Sequence, residues 1–122
     1  MTWEVHLSTD ATNWLEKCHP QSDVQRQIQR HFERTFDLLE EYGPKIGPPY
    51  VRKIRGFLWE IRVNHNTGAY RLFCGIASDG TIAVACGNVK KSDHFPPSIY
   101  EWAENKVKKY LTLLQGKGTK EP

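Results

Sequence analysis

The sequence has few cysteines and lacks any segment that could span a membrane. Cys18, Cys74 and Cys86 are odd in number and show no Cys-x-x-Cys spacing, which argues against a disulfide framework and against a zinc site. No apolar run approaches the roughly 20 residues that a transmembrane helix needs. The first residues have neither the basic nor the apolar segment of a signal peptide. We therefore expect a cytoplasmic protein with reduced cysteines, no metal site and no membrane contact.

Acidic residues are scarce in the middle of the chain. The net charge of +3 alone indicates no particular partner. Between residues 43 and 91, however, eight basic residues stand against only two acidic ones, Glu60 and Asp79. The basic residues of this segment are Lys45, Arg52, Lys53, Arg55, Arg62, Arg71, Lys90 and Lys91. This pattern favours a local site for a polyanion, although surface charges without a function would produce it too.

The first third of the chain is predicted to form a strand and two helices. Its length of 122 residues suits one domain. Trp3, Val5 and Leu7 alternate with polar residues, which predicts a short strand, and Ser8 can cap a short helix after it. A longer apolar stripe at helical spacing predicts a second helix that ends at Gly43. The two helices should form a hairpin.

The remainder is predicted to form a sheet followed by a helix. Residues 44–55, which are rich in proline and glycine, are predicted to be a loop. Separated by turn signals, three strands of an antiparallel meander are expected at residues 57–63, 69–77 and 81–89. A last helix is predicted from its N-cap Ser98, and residues 115–122 are predicted to be a disordered polar tail. The expected fold is a single α+β domain over residues 1–114.

The predicted meander has two different faces, because side chains alternate along a strand. One face is bulky and apolar, which suits packing against helices. The other carries Glu60, Arg62 and Arg71 over the small residues Ala83 and Ala85. Two interpretations of this face stay open. It holds either a surface Glu–Arg pair worth less than about 1 kcal/mol, or a concave floor for phosphate, which guanidinium groups bind through paired hydrogen bonds.

Three segments together resemble the RelE/ParE superfamily of type II toxins and, within it, the HigB-like, phage-associated branch. They are Leu-Trp-Glu-Ile-Arg at residues 58–62, Tyr-Arg at residues 70–71 and Lys-Lys at residues 90–91. The resemblance covers about residues 2–112. It implies a RelE-like fold, in which an N-terminal helical hairpin packs on a twisted antiparallel β-sheet with a C-terminal helix. The active site is expected on the exposed concave face of that sheet.

The same resemblance implies an activity and partners. Members are ribosome-dependent endoribonucleases (mRNA interferases) that use no metal or other cofactor. The ribose 2′-OH attacks the adjacent phosphate of the mRNA and leaves a 2′,3′-cyclic phosphate. The implied partners are the ribosome, mRNA and a cognate helix-turn-helix (HigA-like) antitoxin. DNA would be bound only indirectly, through the antitoxin.

Catalytic roles follow from the resemblance residue by residue. Arg71 and Lys91 would bind the scissile phosphate, where charge builds up in the transition state. Arg62 would orient the phosphate or lower the pKa of the 2′-OH. His94 is a candidate general base and His65 a weaker one, since imidazole titrates near neutral pH. For both histidines a solvated loop position without a catalytic role is the alternative.

Other residues are candidates for RNA binding. Lys53, Arg55 and Lys90 would contact phosphates that flank the cleavage point. Phe73 shares the arginine face and could stack on an unpaired base, although packing at the edge of the sheet would also suit it. Tyr100, early in the last helix, is a further stacking candidate.

Two other functions stay open on the same fold. One is that of a ParE-like toxin, which binds DNA gyrase. The other is that of a catalytically degenerate relative that binds only RNA or an antitoxin. The basic residues favour RNA cleavage over gyrase binding, because gyrase-directed members generally lack them.

Overall fold

A five-stranded sheet lies between two helical layers. The computed structural model describes residues 2–90 and 94–117. The strands are β1 (Glu4–Leu7), β2 (Val51–Arg55), β3 (Leu58–His65), β4 (Gly68–Ile76) and β5 (Thr81–Lys90). The helices are α1 (Thr9–Glu16), α2 (Ser22–Tyr42) and α3 (Pro97–Lys117), with a 3-10 turn at Pro44–Ile46. The α+β class and the order of elements confirm the expected architecture, which is consistent with a RelE-like fold.

The sheet has the order β1-β5-β4-β3-β2. Strand β1 runs parallel to β5, and the remaining neighbours are antiparallel. The predicted meander is therefore present, but it contains one strand more than expected. Residues 51–55 form β2, where the prediction of a loop is wrong. Three of the five side chains in β2 are charged, a composition that suits the edge of a sheet and hides its strand character.

Helices α1 and α2 cover the apolar face of the sheet. The apolar stripe of α2, which includes Ile28, Phe32 and Leu39, packs in one cluster with Ile61 and Leu72 of the sheet. This is the helical hairpin and the core face that the sequence periodicity predicts.

The three cysteines are free.

Helix α3 packs on the opposite face. Its residues Ala103 and Val107 form a second cluster with Leu58, Phe73 and Ala85. The expectation that this face is exposed is therefore wrong over much of its length. Ala83 and Ala85 leave no open space, since both are buried. Helix α3 also continues to Lys117, so residues 115–117 are helical rather than part of a tail, and residues 118–122 lie outside the described residues.

A β-bulge in β5 reverses the alternation of its side chains. Phe73 of β4 pairs with Cys86, whereas Cys74 pairs with Val84, which leaves Ala85 as the extra residue. Val84 consequently faces α1 and α2, while Cys86 belongs to the cluster beneath α3. The parity prediction that groups Cys86 with Val84 is wrong beyond this point. Residues of β5 after Cys86 therefore lie on the face opposite to the one that simple alternation predicts.

Candidate active site

A buried carboxylate lies among three arginines on the α3 side of the sheet. The side chain of Glu60, in β3, is fully buried. Its Oε1 atom lies 3.3 Å from Nε of Arg62, 3.4 Å from Nη2 of Arg52 and 3.5 Å from Nε of Arg71. We call these four residues the Glu60 cluster. The expectation of a surface Glu–Arg pair is therefore wrong, because the carboxylate is inside the protein and binds more than one cation.

Strand register brings the cluster together. Arg62 pairs directly with Arg71 across β3 and β4, and Arg52 pairs with Glu60 across β2 and β3. Like charges directly opposite each other destabilise a sheet. Glu60, two residues before Arg62 on the same face, supplies the counter-charge. Asn88 pairs with Arg71 from the other side, so that Arg62, Arg71 and Asn88 form a row across three strands.

The ion pairs of the cluster are loose. Among the described residues, neither carboxylate oxygen of Glu60 receives a hydrogen bond, and the Nε atoms of Arg62 and Arg71 donate none. Arg71 is held through Nη1, which donates to Asn64 Oδ1 and to the backbone oxygen of Tyr70, both at 3.0 Å. Buried donors without an acceptor cost about 1–3 kcal/mol each. An oxyanion that reached these donors would be bound favourably.

The cluster has an excess of positive charge. Burial lowers the pKa of Arg71; Glu60 opposes this shift, and Arg62 and Arg52 add to it. Burial also lowers the pKa of Lys90, and the charge of Arg71 lowers it further. Burial is the larger cause of both shifts, and Lys90 and the three arginines outnumber the single carboxylate of Glu60. The arrangement therefore attracts an additional negative group.

The β-bulge places Lys90 beside the cluster. Lys90 is the last residue of β5, four positions after Cys86, and pairs with Ala69 of β4. Its Nζ atom lies 5.4 Å from the centre of the Phe95 ring, a cation–π distance. The sequence predicts that Lys90 lies just past the last strand, at the rim of the site, whereas Lys90 is the last residue of β5 itself. The predicted catalytic residue Lys91 lies outside the described residues.

Comparison with known families agrees with this fold. The family model "Phage derived protein Gp49-like (DUF891)" matches residues 22–108, which span α2, the meander and much of α3. The chain belongs to the Gp49-like family. This family is toxin-like and related to the RelE/HigB group, which confirms the resemblance at that level. No match was found among curated proteins.

Two predicted RNA contacts of this Gp49-like chain lie away from the Glu60 cluster. Lys53 pairs with Trp59, whose side chain packs with the α1 and α2 layer, so that Lys53 lies on the other face of the sheet. Arg55 donates two hydrogen bonds to Glu104 of α3, at 2.9 and 3.0 Å. Arg55 therefore ties β2 to α3 in this conformation.

The two aromatic candidates are packed against each other. Phe73 is fully buried, with ring centres 5.7 Å from Phe95 and 6.2 Å from Tyr100. The prediction that Phe73 stacks on an RNA base is wrong for this conformation, because its ring faces are covered by protein. Tyr100 is half-buried and lies 6.0 Å from the Arg55 guanidinium carbon. Both rings stabilise the contact between α3 and the sheet.

The histidine candidates differ in their surroundings. His94 is exposed in the loop that precedes α3. His65, at the turn between β3 and β4, has Nδ1 2.9 Å from Thr67 Oγ1 and Nε2 3.3 Å from Gln27 Oε1. These contacts fix the His65 ring in the turn. His94 stays the candidate general base.

Sequence reasoning missed three residues of the site. Arg52 lies in the segment predicted as a loop, and a strand prediction for residues 51–55 would have placed it opposite Glu60. Asn64 holds Arg71, and Asn88 reaches the arginine row only because of the bulge. The first two could have been found from the alternation along β2 and β3, whereas the bulge has no clear signal in the sequence.

Within residues 2–90 and 94–117, no helix combines the length and apolar character needed to cross a bilayer. The same residues contain no group of three or more His, Cys, Asp or Glu side chains arranged to hold a metal ion.

Proposed function

We propose that this Gp49-like protein is the toxin of a type II toxin–antitoxin pair and cleaves mRNA on the ribosome. The observation that carries the proposal is the Glu60 cluster, in which three arginines share one carboxylate beside Lys90. RNA cleavage by a neighbouring hydroxyl places extra negative charge on the phosphate in the transition state. Preorganised cations in a water-poor site stabilise such charge strongly.

The proposed reaction needs a proton acceptor and a charge stabiliser. The 2′ oxygen forms a bond to phosphorus, the bond from phosphorus to the 5′ oxygen breaks, and a 2′,3′-cyclic phosphate results. The proton of the 2′-OH passes to a base, for which His94 is the candidate, and the leaving 5′ oxygen takes a proton from water. Side chains supply the charge stabilisation in this route, without a metal ion or another cofactor.

Burial distributes the roles within the cluster. The Arg62 side chain is 22% exposed and can contact a phosphate, whereas Arg71 is 2% exposed. We therefore assign phosphate binding to Arg52, Arg62 and Lys90, which are at least partly exposed. Lys91, outside the described residues, keeps the role that the resemblance implies. Arg71, which the resemblance places on the scissile phosphate, acts from beneath by adding positive potential and by holding Asn64.

A cleavage assay tests this function. Purified ribosomes carrying a defined mRNA are incubated with the protein, and the new 5′ ends and cyclic-phosphate 3′ ends are mapped. Arg62→Ala is expected to reduce the cleavage rate by about a hundredfold or more. Arg26→Ala removes the same charge from the exposed face of α2 and should cleave like the unchanged protein, and circular dichroism verifies that both variants fold.

Other outcomes separate the alternatives. Intact mRNA accompanied by DNA breaks would contradict the proposal and support a gyrase-directed toxin. Intact mRNA, no growth inhibition on induction and normal antitoxin binding would point to a degenerate relative. If cleavage occurs, a helix-turn-helix antitoxin of the HigA-like kind is the expected inhibitor, and DNA binding should then require that antitoxin.

A further inference from the structure

A cavity of about 370 Å³ opens at the sheet edge, next to the Glu60 cluster. Helix α2 contributes His31 and Arg34 to its wall, the segment before β2 contributes Tyr50, and β3 contributes Arg62 and Asn64. Apart from Arg62, none of these residues takes part in the proposed reaction. Its position beside the proposed phosphate site makes it a candidate for part of the substrate.

The difference in length between two strands creates the cavity. Strand β2 begins at Val51, opposite Ile61, whereas β3 continues to His65. The last link between the two segments is a hydrogen bond from the backbone N–H of Arg62 to the backbone oxygen of Tyr50, at 2.8 Å. Past this point, the edge of β3 faces α2 across the cavity. The backbone therefore forms the space, so that it does not depend on one side-chain rotamer.

The lining has the chemistry of a nucleotide site. The ring of Tyr50 is 41% exposed and can stack on a base. The amide of Asn64 can donate to and accept from a base edge, and Arg34 can bind a phosphate. Leu38 and Val63 supply an apolar floor, and the lining contains no Asp or Glu. Among the described residues, Arg34 forms no ion pair, so its charge is available to a ligand.

Two residues join the cavity to the Glu60 cluster. Arg62 lines the cavity while its Nε lies 3.3 Å from Glu60 Oε1. Asn64 lines it while its Oδ1 accepts the hydrogen bond from Arg71. A base seated against Tyr50 would therefore have its own phosphate close to Arg62. The separation between a base and its phosphate is short enough for one nucleotide to contact both places.

We propose that this cavity is a nucleobase subsite, which holds one unpaired base of the RNA strand while Arg62 binds the adjoining phosphate. This inference rests on the proposed function for the identity of the strand. The volume lies near the lower end of the range for ligand pockets, about 300–1,000 Å³, which fits one nucleotide and excludes a duplex. The subsite would contribute base preference to cleavage, because Asn64 contacts the base edge and Tyr50 contacts its face.

A binding experiment without ribosomes tests the subsite. The probes are the four nucleoside 5′-monophosphates and short single-stranded RNAs with 2′-O-methyl groups, which cannot be cleaved by 2′-OH attack. Their binding is followed by NMR, with the side-chain amide of Asn64 and the ring of Tyr50 as reporters. Binding in the cavity predicts that both signals shift together along the titration. Binding that shifts neither signal would overturn the proposal.

Variants of the cavity wall give the quantitative test. Tyr50→Ala is expected to weaken RNA binding about tenfold through the loss of stacking, while Tyr50→Phe keeps the ring and should stay within about twofold of the unchanged protein. Arg34→Ala should weaken binding severalfold. Arg26→Ala, on the same helix but outside the cavity, should leave it unchanged. Equal affinities for Tyr50→Ala and Tyr50→Phe would contradict a stacking site.

Failure of the subsite and failure of the proposed function give different experimental results. A protein that binds the 2′-O-methyl RNAs through Tyr50 but cleaves no mRNA on ribosomes would retain the subsite and lose the enzymatic proposal. Conversely, Tyr50→Ala and Arg34→Ala variants that cleave the same positions at unchanged rates would retain the enzyme and overturn the subsite. If these variants bind RNA normally but escape neutralisation by the antitoxin, the cavity belongs to a protein partner, and the subsite proposal fails.

Discussion

Glu60 is the residue that allows three arginines to lie close together, one of them buried. Its carboxylate is fully buried and contacts each of them at 3.3–3.5 Å. Breaking a buried ion pair by removing one partner is strongly destabilising, because the remaining charge stays out of water. In this cluster, removal of the carboxylate should destabilise the protein more than removal of any single arginine, because all three cations share the carboxylate.

Replacing Glu60 should therefore reduce stability markedly. Glu60→Gln keeps the shape of the side chain but removes its charge, and we expect the free energy of unfolding to fall by about 3 kcal/mol. Urea unfolding followed by circular dichroism measures the change. Glu104→Gln, which breaks the exposed pair with Arg55, serves as the control and should have a much smaller effect. Similar losses for both variants would contradict the role assigned to Glu60.

Lys90 reports the positive potential of the same cluster. Burial and the nearby Arg71 lower its pKa, whereas a hydrogen bond to Asp10 raises the pKa of Lys106. Lysine is charged below its pKa, so Lys90 should lose its charge at a lower pH than an ordinary lysine, and Lys106 at a higher pH. An NMR titration of the lysine Cε signals between about pH 8 and 12 measures both values in one sample. The reverse order would contradict the burial of Lys90 and its position beside the arginines.

At the scale of residues, the sequence predicts which side chains share a face of the sheet, but it does not predict how deeply they are buried. Alternation along β3 correctly groups Glu60 with Arg62, and the pairing with β4 adds Arg71. The environment of Glu60 includes Arg52, from a strand whose charged composition conceals it in the sequence. Helix α3 packs on the same face of the sheet, and the sequence pattern does not specify that position. Phe73 illustrates the same limit, because parity puts it on the arginine face while packing removes it from solvent.

At the scale of elements, close contacts between helices and the sheet determine how the two layers fit. Gly87 in β5 lies beneath the ring of Trp14 from α1, and a Cβ atom at this position would lie 2.3 Å from Trp14 Cε3. Gly75 in β4 lies beneath α3, where a Cβ atom would be 2.6 Å from Leu111 Cδ1 and 2.7 Å from Val107 Cγ1. The periodicity predicts the helices and most strands correctly, but β2 and the bulge depend on how neighbouring strands pair, β2 with β3 and β5 with β4.

The two glycines should differ in their tolerance of a methyl group. Gly87→Ala pushes the rigid indole ring of Trp14 out of a partly buried position against the core, and overpacking of this kind typically costs about 1–3 kcal/mol. Gly75→Ala meets the buried Val107 as well, but its nearest contact is the end of the partly buried Leu111 side chain, which can rotate away, so its cost should be lower. Thermal and urea unfolding of both variants measure the difference. A larger loss for Gly75→Ala would mean that α3 is the more tightly packed layer.

At the scale of the whole molecule, the excess of basic residues between residues 43 and 91 divides between the two faces of the sheet. Arg52 pairs with Glu60 and lies on the cluster face, while Lys53, the next residue, pairs with Trp59 and lies on the other. Composition alone cannot separate them, because one residue along a strand reverses the face. Among the basic residues of this segment, the proposed RNA site predicts that only those on the face of the Glu60 cluster contact the substrate.

Adjacent substitutions in β2 should therefore affect RNA binding differently. Each phosphate contact to a single strand releases counterions, so log K falls with log salt concentration by about 0.7 per contact. Arg52→Gln should weaken RNA binding and make this slope shallower by about 0.7, whereas Lys53→Gln should leave the slope unchanged. The measurement is fluorescence anisotropy with a 2′-O-methyl RNA at several salt concentrations. Arg52 and Lys53 carry the same charge and differ in the face on which they lie. Equal changes in slope for the two variants would therefore mean that RNA responds to the total charge of the protein rather than to the Glu60 cluster.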